Sequence, residues 1–198
     1  MKKQITAALF IMFFTAILWI PQTGTAQGNQ RILCFISVEG AQQGVIKGEC
    51  KERGREGKIA GYGYTYSIVS PRDQQSGLPT GRRVQSGITI TKTIGVSTPK
   101  LFQALNNNEV LKNVTIEFWG SAMNPAIGNG METRYYTIKL TNASISRINQ
   151  FGGSNAVEKN LKTDQAMEEV TFTYQKLEME GSEGGITNSA MEEWNQNR

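Results

Sequence analysis

Few residues of this chain could carry out covalent or metal chemistry. The 198 residues include no histidine and two cysteines, Cys34 and Cys50. Histidine is the side chain whose unperturbed pKa lies nearest to neutrality, so its absence removes the usual general base. The cysteines do not form a CxxC pair, and the sequence contains neither a GxSxG nucleophile elbow nor a phosphate-binding loop. The sequence therefore predicts no catalytic residue, no metal site and no cofactor.

A pair of carboxylates is the remaining route to enzyme activity. Glu168, Glu169 and Glu178 could supply the two carboxyl groups that glycoside hydrolysis needs. They fall in a predicted strand, where acidic side chains ordinarily lie on the wet face. We therefore predict that the protein is not an enzyme.

The first 26 residues predict an export signal. They combine a basic start, an apolar run and small residues at positions −3 and −1 of a cleavage site before Gln27 (Lys2, Lys3, 5–20, Gly24 and Ala26). An uncleaved anchor is the alternative, because the apolar run is just shorter than the about 18 to 20 residues of a spanning helix. Cleavage predicts a secreted or periplasmic bacterial protein of one domain, residues 27–198, with no membrane association after the signal is removed.

Export bears on the two cysteines. In an oxidising compartment Cys34 and Cys50 could pair, and their separation suits neighbouring strands of a hairpin. The alternative is a pair of buried thiols, because cysteine is common in protein cores. The spacing leaves both open, since disulfide geometry decides between them.

A charged segment followed by three tyrosines raises the question of nucleic-acid binding. Its charges alternate in sign (Glu52, Arg53, Arg55, Glu56 and Lys58), and Tyr62, Tyr64 and Tyr66 follow on one face of a predicted strand. Binding through stacked bases needs a basic groove that follows the phosphates, and here the local charge nearly cancels. The sequence predicts no nucleic-acid partner and favours a subunit edge, where alternating charges can specify a neighbour.

The elements that position these residues are mostly strands. Runs rich in β-branched and aromatic residues between Gly, Asn, Pro and Ser clusters predict a sandwich or barrel, with strands at 32–38, 44–50, 61–69, 87–94, 113–120, 135–148 and 168–180. One helix is predicted at about 98–107, with Pro99 in its first turn. Residues 181–198 are predicted to be a polar tail, in which Trp194 clasps the barrel or contacts an adjacent subunit.

Seven segments carry a family resemblance: GREGKI (54–59), SGLPTGRRV (76–84), ITITKTIGVSTPKLFQAL (88–105), LKNVTIEFW (111–119), YYTIKLTNASISRI (135–148), EEVTFTYQKLEME (168–180) and SAMEEWNQ (189–196). In this order they resemble the haemolysin-coregulated protein (Hcp) family, the tube protein of type VI secretion systems, over about residues 32–194. The resemblance implies a mainly β fold, a compact β-barrel of two antiparallel sheets with one flanking α-helix. It also implies hexameric rings that stack into a tube, with sheath, spike and effector proteins as partners.

The resemblance also implies assembly surfaces. A ring-stacking loop is expected within residues 70–84 (Pro71, Arg72, Asp73, Ser76, Gly77, Leu78, Pro79, Thr80, Gly81 and Arg82), and an ordinary surface hairpin loop is the alternative. The charged segment 52–58 is expected to join subunits side to side.

The export signal departs from the family pattern, because tube proteins otherwise stay in the cytoplasm until they are ejected. The alternative function is an exported monomeric β-barrel binding module of the periplasm or cell surface that has lost tube assembly. The oligomeric state separates the two.

Overall fold

Eleven strands and one helix make up the part of the chain that the computed structural model describes, residues 31–121, 132–152, 165–183 and 185–193. The predicted signal, residues 1–26, and Trp194 lie outside these ranges. The elements are β1 (Cys34–Gly40), β2 (Gly44–Ile46), β3 (Ile59–Thr65), β4 (Ile68–Val69), β5 (Val84–Gln85), β6 (Ile88–Thr93), α1 (Thr98–Asn106), β7 (Leu111–Ser121), β8 (Glu132–Phe151), β9 (Met167–Thr173), β10 (Lys176–Glu183) and β11 (Ile186–Glu193).

Six of the strands close into an antiparallel barrel. Their order is β8, β7, β1, β3, β6 and β9, and β9 pairs back onto β8. Closure depends on the length of β8, whose first part pairs with β7 and whose last part, from Ser144 onwards, pairs with β9. Asn142, with a φ of 49°, lies just before this change of partner. The mainly β barrel with one flanking helix is confirmed, and the hydrogen bonds join its walls into one continuous sheet.

Two pairs of strands extend beyond the barrel. β10 pairs with β8, and β11 pairs with β10 and forms the outer edge of the sheet. β4 and β5 form a separate two-stranded sheet. β11 leaves one side of its backbone unpaired by any described strand, and β4 and β5 expose side chains. Each of the six barrel strands, in contrast, is paired on both sides.

The core follows the alternation of side chains along the strands. On β6, Ile88, Ile90 and Lys92 face inward and are buried. The predicted helix is confirmed as Thr98–Asn106, and it buries Leu101 and Ala104 against the barrel. The lysine on an otherwise apolar face is the exception in this pattern, and its partners are described below.

Five details of the predicted elements are wrong. The strand predicted at 44–50 ends at Ile46, and the strand predicted at 61–69 is divided between β3 and β4, which belong to different sheets. The single strand predicted at 168–180 is two strands, β9 and β10, separated by a corner at Tyr174 and Gln175. The predicted polar tail contains β11, whose residues are mostly exposed and therefore show no apolar alternation. Tyr62 does not share a face with Tyr64 and Tyr66. A shift in register between Gly61 and Gly63 places Tyr62 against Phe151 and Met167, outside the main core.

A buried carboxylate fixes the turn between β1 and β2. Glu109 is 1% exposed, and its Oε1 accepts hydrogen bonds from the backbone N–H of Gln42 at 2.7 Å and of Gln43 at 2.9 Å. Its Oε2 accepts a third bond from the Gln43 side chain. Burial alone would raise the pKa of Glu109, but these hydrogen bonds outweigh it and hold the pKa below its ordinary value of 4.5.

We expect Glu109→Gln to remove a pH-dependent part of the stability. Because the folded pKa is depressed, the contribution is complete above about pH 4.5 and is lost as the pH falls through the folded pKa. The variant should therefore be about 1 kcal/mol less stable than the wild type at pH 7, with a smaller difference at pH 3. Urea unfolding at the two pH values measures this, and an equal difference at both would contradict it.

Candidate assembly surfaces

A buried ion cluster joins four parts of the fold. Lys92 Nζ lies 3.1 Å from Glu168 Oε1 and 3.2 Å from Glu49 Oε1. The Thr98 hydroxyl donates to Glu168 at 2.7 Å, and the Ser97 hydroxyl donates to Glu49 at 3.1 Å. The cluster therefore ties β6 and β9 to the start of α1 and to the segment that precedes residues 52–58.

One sequence-based expectation changes because of this cluster. Glu168 is 0% exposed, so the expectation of a wet-face carboxylate is wrong for this residue. It is neutralised by Lys92, because a charge can be buried at acceptable cost only when it is paired. The Ser97 hydroxyl makes no capping hydrogen bond to α1 and donates to Glu49 instead.

The charged loop, residues 52–58, is docked onto its own barrel by Arg55. The Arg55 guanidinium forms ion pairs with Glu52 and Glu132, each at 2.8 Å. It also lies 4.5 Å from the ring centroid of Phe35 and 4.4 Å from that of Trp119, which is cation–π geometry. Arg55 is therefore committed to contacts within its own chain.

Lys58 is committed in the same way. Its ammonium pairs with Glu117, which also receives Arg134. Burial would raise the pKa of Glu117, but the hydrogen bond and charge of Lys58 outweigh it and lower the pKa. Of the five charged residues predicted for the subunit edge, Glu52, Arg53 and Glu56 are the exposed ones.

Cys34 and Cys50 are separate buried thiols, so the structure contains the second of the two arrangements considered above. Cys34 points into the main core, and burial raises its pKa to about 12. A thiol with so high a pKa carries almost no thiolate at neutral pH and is a poor nucleophile.

The predicted ring-stacking loop forms the outer part of a hairpin arm, defined here as residues 66–86. β4 and β5 pair at its base, and Arg72 bridges to Pro79 farther out. Asp73 organises the tip, because its Oδ1 accepts bonds from the backbone of Gln75 and from the backbone and hydroxyl of Ser76. These bonds, led by the one from the Ser76 backbone, lower the pKa of Asp73.

The arm exposes apolar side chains beside its arginines. Val69, Leu78 and Val84 are each more than half exposed, and Ile68 is 44% exposed. Single exposed apolar residues are ordinary, but Val69 and Val84 are opposite each other in the β4–β5 pairing and therefore lie side by side on one face of the arm, where they suit contact with another protein.

The outer edge of the sheet is a second exposed surface. β11 pairs with β10 along eight residues, and most of its side chains are exposed. It contains neither lysine nor proline, the residues that commonly protect a free edge from pairing. Among the described residues no strand pairs with its outer side, so β11 is open to a further strand.

A polar face continues inward from this edge across β10, β8 and β7. One rung is formed by Met191, Glu178, Lys139 and Thr115, and the next by Ser189, Glu180, Thr137 and Glu117. Two open cavities of about 260 and 420 Å³ share Thr137 and Glu180 on this face. Lys139 on this face is exposed and suits contact with water or with a polar partner, whereas Thr137 and Glu117 are buried at its inner end.

The described part of the chain contains neither a metal-type cluster nor a membrane-spanning helix. Within these ranges, no group of three or more Cys, Asp or Glu residues has the arrangement of a metal site. No helix there has the length and apolar character needed to cross a membrane.

Sequence reasoning missed several residues that shape these surfaces. Glu49 and Glu132 lie outside the segments that carry the resemblance, and Trp119 lies in one of them without an expected role. Each acts through a partner that is distant in sequence. Lys92 could have been found, because a lysine on the isoleucine face of a strand indicates a buried charge. β11 could have been found only through its two-residue turn, since its composition is polar.

Comparisons with known proteins agree with this fold. The family described as "Type VI secretion system effector, Hcp" matches residues 35–180. The chain is 30% identical over 163 residues to the "Major exported protein" of Pseudomonas aeruginosa, covering 76% of this chain and 91% of that protein.

Solved structures give the same result. A crystal structure of an Hcp protein has a TM-score of 0.68 and 26% identity, covering 81% of this chain and 98% of its own. The secreted protein Hcp3 from Pseudomonas aeruginosa has the same fold, with a TM-score of 0.63 and 23% identity over 84% of this chain and all of its own. With its closed six-stranded barrel and a family match that covers most of its length, the chain belongs to the Hcp family of type VI secretion proteins.

Proposed function

We propose that this protein is a tube subunit that closes into hexameric rings, stacks these rings, and carries or accompanies secreted effectors without acting as an enzyme. The observation that carries the proposal is a closed barrel with two unsatisfied extensions, an open sheet edge and an exposed arm, in a chain of the Hcp family. The sheath, the spike and the effectors are the further partners that this function requires.

Side-to-side contact is assigned first to β11. Glu183 and Ile186 close a two-residue turn, so this pair is hydrogen-bonded and alternate residues along β11 face β10. Thr187, Ser189 and Met191 then direct their backbone groups to the free edge. A neighbouring strand could add to the sheet there without any change in the barrel.

The charged loop is assigned a smaller part in this contact than the sequence suggested. Arg55 and Lys58 serve to dock the loop, which leaves Arg53 and Glu56 to face a neighbour. Exposed pairs of this kind select partners and influence association rates more than they add affinity.

The arm is assigned to contact between rings. Its exposed apolar residues and its arginines extend from a barrel that is otherwise closed. The polar face of β7, β8 and β10 is assigned to the channel wall, where hydroxyl and charged side chains suit a water-filled passage for effectors.

A proline at the edge tests the proposal. Ser189→Pro removes a backbone N–H that faces outward and leaves the β10 ladder in place, whereas Ser189→Ala keeps that N–H. We expect electron micrographs of wild type and Ser189→Ala to show rings and stacks, and Ser189→Pro to remain monomeric. Rings of equal abundance in both variants would exclude β11 from the interface.

A second variant separates the two contacts. Replacing residues 73–78 by a short glycine turn shortens the arm and leaves β4, β5 and the barrel unchanged. We expect rings without stacks. Normal stacks from this variant would show that the arm does not join rings.

A further inference from the structure

The direction of the arm is not set by the barrel's hydrogen-bond ladder. β4 and β5 pair with each other in a sheet of their own, separate from the nine-stranded one. Gly87 passes close to β9, where an added Cβ would lie 2.7 Å from the Thr171 side chain and 2.8 Å from the Phe172 carbonyl oxygen. Gly87 holds the chain close to β9 just after the arm ends. The direction of the arm therefore depends on side-chain contacts at its root, the two ends of segment 66–86.

Tyrosine hydroxyl groups form the first of these contacts. The hydroxyl oxygens of Tyr66 and Tyr174 are 2.7 Å apart, and the Tyr174 hydroxyl donates to Gln85 Oε1 at 3.1 Å. Tyr66 and Gln85 lie on the two branches of the arm root, and Tyr174 lies at the corner between β9 and β10. One barrel residue therefore holds both branches.

An ion pair forms the second contact and reaches the sheet edge. Arg83 NH2 lies 3.3 Å from Glu192 Oε1. Glu192 is opposite Leu177 on the core side of β11, and its side chain is only 19% exposed. A carboxylate shielded in this way needs a counter-charge, and Arg83 of the arm supplies it.

The two contacts lie within the same electrostatic surroundings. Burial raises the pKa of both Tyr66 and Tyr174, and the negative charge of Glu192 raises both further. Arg83 acts in the opposite direction on Tyr66. The edge strand, the corner tyrosine and the arm root thus form one connected group.

We propose that this group, comprising Tyr66, Arg83, Gln85, Tyr174 and Glu192, is a latch that couples the direction of the arm to the position of β11. β11 is held to the rest of the molecule through β10, so pairing at its free edge shifts or steadies Glu192. Through its ion pair with Glu192, Arg83 transmits this change in the position of Glu192 to the arm. The consequence, which rests on the proposed function, is that closing a ring sets the arm for stacking.

The latch itself can be tested in the monomer. Spin labels at Gln75→Cys, on the arm tip, and Lys112→Cys, on the barrel, give the distance distribution of the arm at concentrations where light scattering shows a single copy. Both positions are exposed, and the native cysteines are buried. The chain without introduced cysteines serves as the labelling control.

Arg82 provides a matched control for Arg83, because it is the adjacent exposed arginine and has no ion pair to Glu192 among the described residues. We expect a narrow distribution for wild type and Arg82→Gln. In Arg83→Gln and Glu192→Gln the undocked fraction should rise about five-fold, as expected for loss of a partly exposed pair. The exchanged pair, Arg83→Glu with Glu192→Arg, should restore the narrow distribution.

Tyr174→Phe tests the tyrosine part of the latch, with Tyr62→Phe as its control because Tyr62 packs against a separate cluster. We expect the first variant to broaden the distribution and the second to leave it unchanged. Equal distributions for Arg83→Gln and Arg82→Gln, or failure of the exchanged pair to restore order, would overturn the latch.

Assembly gives a separate result. If wild type forms no rings at any concentration, the proposed function fails while the distance measurement still decides the latch. If Glu192→Gln, which changes no residue of the arm, forms rings and stacks as readily as wild type, the coupling of latch to stacking is wrong. Rings of Glu192→Gln that stack poorly, with stacking restored by the exchanged pair, would support it.

Discussion

Lys92→Met is expected to lower the free energy of unfolding by about 3–5 kcal/mol, because removal of one partner leaves a buried charge uncompensated. Glu168 is 0% exposed and would lose its ammonium partner at 3.1 Å. Glu49 would lose the same partner at 3.2 Å. Urea unfolding measures the loss, and Lys51→Met, at an exposed lysine, is the control.

A second substitution identifies the cause. Lys92→Met combined with Glu168→Leu replaces the ion pair by apolar groups, which is often neutral for stability. The double variant should therefore be more stable than Lys92→Met alone. A loss below about 1 kcal/mol in the single variant would mean that water or a nearby group already neutralises Glu168.

Gly48→Ala is expected to destabilise the protein by about 3 kcal/mol, at the upper end of the usual cost of overpacking. A Cβ at Gly48 would lie 2.4 Å from the Lys58 carbonyl oxygen and 2.5 Å from the Ile59 nitrogen. Both neighbours are backbone atoms, and the Gly48 N–H donates to the Gly57 carbonyl at 2.7 Å. The two chain segments cannot separate without breaking this contact at the base of the charged loop.

Gly81→Ala is the matched control for this substitution. A Cβ at Gly81 meets nothing within 4 Å, so the change adds the same atom without a clash. Urea unfolding should place Gly81→Ala within about 0.5 kcal/mol of wild type. An equally small loss of stability in Gly48→Ala would contradict the close approach of Gly48 to the backbone of Lys58 and Ile59.

Much of the fold could be predicted because its signals are local. The alternation of Ile88, Ile90 and Lys92 indicates a strand with one inward face. Pro99 in a helical pattern indicates the start of α1. Closure of the barrel could not be deduced in the same way. It depends on the pairing of β9 with β8, and no local sequence pattern shows which two strands will pair.

The assembly surfaces were only partly predictable for a similar reason. The composition of residues 70–84 indicates an exposed hairpin, and the structure contains one. The charges of residues 52–58 were expected to face a neighbour, but Arg55 and Lys58 turn onto Trp119, Glu132 and Glu117. A charge pattern does not show which partner each charge will meet when partners lie on distant strands.

The native mass of the chain lacking residues 1–26, measured by light scattering over a wide range of concentration, tests the central claim most directly. A discrete hexamer that gives way to larger multiples is the predicted result. The mass should not depend on reductant, because Cys34 and Cys50 are unpaired. A single copy at every concentration would contradict assembly into rings and favour a monomeric binding module.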